Sequence, residues 1–132
     1  MYKKIFVNQC GYLPAMEKKV TFHSEEPVEF CVHKSDGSCI FEGKAEQKIV
    51  NESAKETNYI GDFSAVKDAG KYYITAKGLG ESDTFKIGEK VYKDAFEKAV
   101  YFFYLQRCGC DLPKEYAGLF AHKACHTDEA VV

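Results

Sequence analysis

The chain has 132 residues, 45% of them hydrophobic, with nine Tyr, ten Phe, no Trp and a formal net charge of −2. That suits one domain, or a small domain plus part of another, with enough apolar mass for a compact core and a composition far from disorder. Acidic and basic residues balance in both halves, so no nucleic-acid footprint appears; no basic amphipathic stretch suggests membrane docking, and no apolar run reaches the ~18–20 residues of a membrane span.

Met1-Tyr2-Lys3-Lys4-Ile5-Phe6-Val7 has a charged start but no long apolar region, and reads as a first strand, not a signal peptide. The expected location is therefore cytoplasmic, with secretion the alternative if the sequence continues upstream. On that footing the six cysteines are expected to be reduced thiols.

Residues 3–88 alternate short apolar runs with turn residues, which predicts a β-sandwich. The predicted strands are Lys4–Asn8, Lys19–His23, Val28–Lys34, Cys39–Glu42, Lys48–Asn51, Tyr59–Phe63, Lys71–Lys77 and Thr84–Ile87. Val28, Phe30 and Val32 alternate with Glu29, Cys31 and His33, giving one buried and one wetter face. Ser35-Asp36-Gly37 reads as a hairpin turn. Gly78-Leu79-Gly80 closes another hairpin and is not a phosphate loop. Asp68-x-Gly70-x-Tyr72 resembles the tyrosine corner of immunoglobulin-like sandwiches, with a plain surface turn as the alternative. Where antibody domains carry a cysteine two residues after that Tyr, this chain has Ile74, so no cross-sheet disulfide is expected.

After Gly88 the period changes. Residues 90–106 hold no Gly or Pro and space Tyr92, Ala95 or Phe96, Ala99, Phe103 and Gln106 for a helix of about four turns. Tyr101-Phe102-Phe103-Tyr104 makes it aromatic on several sides, so it wants partners on several sides. Gly109 ends it, and residues 110–132 are expected to be irregular with one short turn. The fold class expected is mainly β: an immunoglobulin-like sandwich over residues 1–88, then one long helix and an irregular tail over residues 89–132.

Cys108, Cys125 and His126 are ligand types that zinc favours, and His122 and Cys110 are the nearby candidates for a fourth position. Without a paired Cys-x-x-Cys, unrelated free or buried cysteines are the reading the residues alone favour over a metal site. A redox role for Cys108-Gly109-Cys110 is disfavoured, because the end of a helix raises a thiol pKa where its start would lower it. Cys10, Cys31 and Cys39 read as small hydrophobes in or beside strands. His23 and His33 lie on predicted strands with no nucleophile at a defined spacing. Asp62 and Asp128-Glu129 are explained by turns and solvent.

Taken in order, Ile5-Phe6-Val7-Asn8-Gln9-x-Gly11-Tyr12-Leu13-Pro14, Asp62-Phe63-Ser64, Gly70-x-Tyr72, Tyr104-x-Gln106-Arg107-Cys108-Gly109, His122 and Cys125-His126 resemble glycoside hydrolase family 9, in its members with an N-terminal immunoglobulin-like domain. Cys10 departs from the small aliphatic residue more usual there. The resemblance implies a sandwich attached to an (α/α)6 barrel, with the helix after Gly88 as the barrel's first. It also implies inverting hydrolysis of β-1,4-glucan by a pair of carboxylates. The blocks that carry those carboxylates are not in this sequence, so the chain itself is expected not to be an enzyme. A structural zinc is implied on Cys108, Cys125 and His126, its fourth ligand beyond Val132. Two roles compete: a non-catalytic module stabilising the catalytic barrel of a cellulase or endoglucanase, and a free-standing sandwich that binds carbohydrate or protein. An exposed aromatic helix also raises self-association.

Overall fold

The computed structural model describes residues 3–127, and compactness divides the chain after Tyr92 into Met1–Tyr92 and Lys93–Val132. In the first unit, two antiparallel sheets face each other. One runs β1 (Ile5–Phe6), β2 (Lys19–His23), β6 (Glu56–Asp62), β5 (Gln47–Asn51); the other runs β4 (Cys39–Ala45), β3 (Val28–Lys34), β7 (Gly70–Ala76). The far edge of β7 pairs with both β8 (Gly80–Glu81) and β9 (Phe85–Ile87).

Period-2 alternation places Val20 and Phe22 of β2, Val28, Phe30 and Val32 of β3, and Tyr72, Ile74 and Ala76 of β7 in one core with Phe63 and Phe85. The expected strands are all present, though β4 runs on to Ala45 and β6 begins at Glu56. Both extensions pass through residues of low strand propensity, Gly43 and Asn58, which pairing with β3 and β5 overrides. Lys18 is fully buried, its ammonium donating to the carbonyls of Pro14 (2.7 Å) and Met16 (2.9 Å). Burial pushes its pKa down, and the nearby Lys67 charge adds to this.

Asn8 to Tyr12 forms a latch. The Asn8 side-chain oxygen accepts from Cys10 N–H at 3.0 Å, and Gly11 takes φ +101°. A Cβ at Gly11 would sit 2.5 Å from the Lys86 carbonyl, which accepts from Tyr12 N–H. Only glycine fits there. Tyr12 then buries its ring against Phe63 and Phe85 and donates its hydroxyl to the Lys19 carbonyl at 2.7 Å.

Tyr92, expected on the helix, belongs to this latch. Its hydroxyl donates to the Gly11 carbonyl (2.9 Å) and accepts from the Asn8 amide (2.8 Å). The helix therefore starts later than its apolar spacing indicated.

The cysteine expectation also needs correcting: Cys31 and Cys39 are joined as a disulfide, with Cα atoms 6.1 Å apart. A register shift between Val32 and His33 sets Cys39 opposite His33, bringing its sulfur diagonally to Cys31 on the outer face of the sheet. The bond lies within one sheet, and Ile74 stays in the core as expected. Cys10 is exposed.

The second unit holds α1 (Lys93–Leu105), a short α2 (Lys114–Ala117) and a 3-10 turn at Gly118–Phe120. The segment after Gly109 is thus more regular than its sequence suggested. Among its described residues Leu112 and Ala117 are buried, while no residue of α1 is. Tyr101 donates its hydroxyl to the Tyr116 carbonyl at 3.1 Å and stacks near Tyr104.

Candidate metal centre

Cys108 follows the last turn of α1, and the chain reverses at Gly109, whose φ of +71° glycine adopts without strain. Gly109 N–H then donates to the Cys125 carbonyl at 2.8 Å. Leu112 and His122 exchange two backbone bonds, at 2.9 and 3.2 Å. Between them the Asp111 carboxylate accepts from Ala124 N–H and the Lys123 ammonium, each at 2.8 Å. These bonds zip residues 108–112 against 122–126 as a short antiparallel ladder, and α2 with the 3-10 turn closes the loop between them. Carried one step outward from Gly109 and Cys125, the register sets Cys108 opposite His126.

The three predicted ligands are thereby brought together. One sulfur each from Cys108 and Cys125 and one ring nitrogen of His126 lie within 4.8 Å of one another. Ligand atoms around a tetrahedral zinc stand roughly 3.5–3.8 Å apart, given metal–ligand bonds of about 2.0–2.3 Å. The cluster fits such an ion with small side-chain rotations. Partial desolvation and the neighbouring Cys125 and Cys110 sulfurs push the Cys108 thiol above its ordinary value. A bound cation reverses that preference, because two thiolates and a neutral imidazole are the forms it binds.

His122 and Cys110 do not join the group among the described residues. The His122 ring lies against the Lys123 carbonyl at 2.7 Å, and its backbone is committed to the ladder. Three protein donors are thus in place, with the fourth position unfilled by this set.

Other sequence candidates are accounted for elsewhere. Asp62 takes a 2.5 Å bond from Lys19 and caps the Ser64 N–H at 2.8 Å; these bonds hold its carboxyl down at about 2. Asp128 and Glu129 lie outside the described residues. A second group went unnoticed in the sequence: Cys31, His33 and Cys39, also within 4.8 Å of one another. Cys31-x-His33 alternation and the tight Ser35–Gly37 turn were the available signal, but the register shift that delivers Cys39 is not legible in one sequence.

Comparison with known proteins places these observations. A family described as the cellulase N-terminal ig-like domain matches residues 1–81. The chain is 40% identical over 128 residues to Endoglucanase D of Acetivibrio thermocellus, covering 96% of this chain and 20% of that protein. It is 39% identical over 130 residues to a cellodextrinase of Butyrivibrio fibrisolvens, covering 98% of this chain and 23% of the relative. A solved mutant of a thermostable endoglucanase from Alicyclobacillus acidocaldarius superposes with a TM-score of 0.79 at 36% identity, over 98% of this chain and 23% of that one. The chain spans about a fifth of the length of these relatives.

Proposed function

The chain belongs to the cellulase N-terminal ig-like domain family, as the N-terminal module of glycoside hydrolase family 9 cellulases, and we propose that its work is structural support of a catalytic (α/α)6 barrel. On this reading residues 1–88 are the supporting sandwich, and residues 89–132 supply the barrel's first helix and a metal-pinned loop. The whole protein hydrolyses β-1,4-glucan with inversion, using two carboxylates that flank a water. This module contributes neither carboxylate: Asp62 is held by Lys19 and Ser64.

The observation that carries the proposal is α1. It presents Phe96, Val100 and Phe103 along one stripe, at three- and four-residue spacing, and buries none of them. A barrel of helices is the partner that such a helix, in a chain aligned with a fifth of an endoglucanase, is shaped to meet.

The zinc proposal follows the same logic. Cys108 and Cys125 sulfurs and the His126 imidazole would hold the ion, the fourth ligand coming from the barrel. Zinc supplies a cross-link there, replacing the packing that a short loop cannot provide. Gly109 and the Leu112–His122 ladder keep the three donors converged.

Three measurements test this. The purified chain should release no reducing sugar from carboxymethyl-cellulose, and reproducible turnover would overturn its non-catalytic role. The catalytic region of Endoglucanase D, fused behind this module, should unfold at a higher temperature than the same region alone. Equal stability and activity without the module would remove the supporting role. Retention of the chain on insoluble cellulose would favour a free-standing binding module instead.

A further inference from the structure

We propose that the outer face of β3 and β4 carries a second, redox-gated metal site, in which Cys31, His33 and Cys39 bind a divalent ion of the zinc class once their disulfide is reduced. It is independent of the barrel-support reading. Two sulfurs and an imidazole nitrogen, all within 4.8 Å, form the donor set that zinc and cobalt prefer. Each ligand stands on a strand of the sheet, so the chelate ring is fixed by backbone pairing: His33 opposite Cys39, and Cys31 two residues before His33 on the same face.

His33 is prepared for this role. Its Nδ1 lies 3.1 Å from the Gly37 carbonyl, an acceptor only, so Nδ1 must carry the proton. In the neutral imidazole Nε2 then holds the lone pair and accepts from the Thr75 hydroxyl at 2.8 Å. A carbonyl behind one ring nitrogen is the outer-shell arrangement that orients metal-binding histidines. The ring is also clamped flat on Tyr73, centroids 4.9 Å apart and planes 13° from parallel. Thr75 sits directly across from Cys31 in the register, and an ion taken by Nε2 would have to displace the hydroxyl now on it. The Cys31 side of the group is open: Cys31 lines a surface hollow together with Glu29, Glu42 and Thr75.

The chemistry balances with an external dithiol. Exchange transfers two electrons to the Cys31–Cys39 bond, giving two thiols, while the dithiol closes into its own disulfide. Metal entry then releases one proton from each thiol to solvent and forms two metal–sulfur bonds and one metal–nitrogen bond, with water completing the shell. Exchange with an external disulfide takes the two electrons back, re-forms the Cys31–Cys39 bond, leaves the external reagent as its dithiol and releases the ion.

The experiment removes the tail centre first, with Cys108→Ser and Cys125→Ser in the full chain. After reduction with dithiothreitol and anaerobic desalting, cobalt(II) is titrated in. The expected result is one equivalent bound, with the intense thiolate charge-transfer and visible bands of four-coordinate cobalt. The oxidised form of the same variant should show neither. Adding Cys31→Ser or Cys39→Ser should abolish the spectrum, and His33→Asn should weaken binding at least as much as the roughly 10–100-fold lost when an outer-shell partner is disturbed. Thr75→Val frees Nε2 while preserving the strand, and should tighten binding, an effect that a purely structural threonine would not produce. Absence of the spectrum in the reduced, folded variant would overturn the site, as would a spectrum that survives the loss of Cys31 and Cys39.

Discussion

Tyr72 reaches back over its own strand to donate its hydroxyl to the Asp68 carbonyl at 2.9 Å, closing a corner around Gly70. A Cβ on Gly70 would stand 3.1 Å from that hydroxyl, so the glycine keeps the corner open for the ring. Tyr72 is 1% exposed, and burial pushes its pKa up. Replacing it with Phe leaves the fold's packing intact and the Asp68 carbonyl without its partner. The expected cost is about 1–2 kcal/mol, read as a fall of roughly 4–8 °C in the melting midpoint per kcal/mol for a domain of this size. An unchanged midpoint for Tyr72→Phe would remove the corner from the list of stabilising features.

Phe30 is held from both sheets by glycines. A Cβ at Gly43 of β4 or at Gly61 of β6 would fall 2.6 Å from its ring. The ring fills the space those side chains would occupy. Gly61→Ala, which also meets Val20 at 3.0 Å, should cost about 1–3 kcal/mol through overpacking. Shrinking the ring by Phe30→Leu in the same chain should recover part of that loss, because residues in contact do not add. Strict additivity in urea denaturation would show that the two positions do not share this space.

These residues also mark what a single sequence conveys. Strands β2 and β3 were legible to the residue, since clean alternation fixes both face and extent. The three tail ligands were legible as a donor set, though not the ladder that aligns Cys108 with His126. What stayed hidden depends on register and long-range bonds. The Val32/His33 shift that pairs Cys31 with Cys39 leaves no local composition signal. Tyr92 fits helical spacing yet is claimed by Asn8 and Gly11, far away in sequence. Tertiary bonds decided both cases against local pattern.

Asp62 should make the sandwich sensitive to acid. The Lys19 ammonium first, then the Ser64 hydroxyl and N–H, lower its pKa from 3.8 to about 2 in the folded chain. A depressed carboxylate stabilises the fold fully above its unfolded value, and that contribution fades as pH falls from about 4 towards 2. Lys19 and Asp62 are each about half exposed, so the effect belongs with the ~0–1 kcal/mol of surface pairs. Comparing urea midpoints of the wild type and Asp62→Asn should show a gap near pH 6 that closes near pH 2. A gap that persists at the acid end would assign it to packing.

The second unit should associate when nothing covers it. Phe96 and Phe103 are 68% and 71% exposed on the same stripe of α1, and Leu119 and Phe120 add apolar surface beyond α2. Patches of this kind exceed what soluble monomers usually leave bare. Re-covering one Phe is worth about 1.5–3 kcal/mol, so pairing two such stripes offsets a sizeable part of the entropy lost on association. The full chain is therefore expected to sediment with a concentration-dependent weight above that of a monomer, whereas a chain ending at Tyr92 should run as a monomer. Phe96→Asp with Phe103→Asp should return the full chain to the monomer while leaving the sandwich's melting midpoint unchanged, since both residues lie in the second unit. A full chain that stays monomeric at high concentration, with α1 resisting protease, would mean that the stripe is already covered and would defeat the prediction.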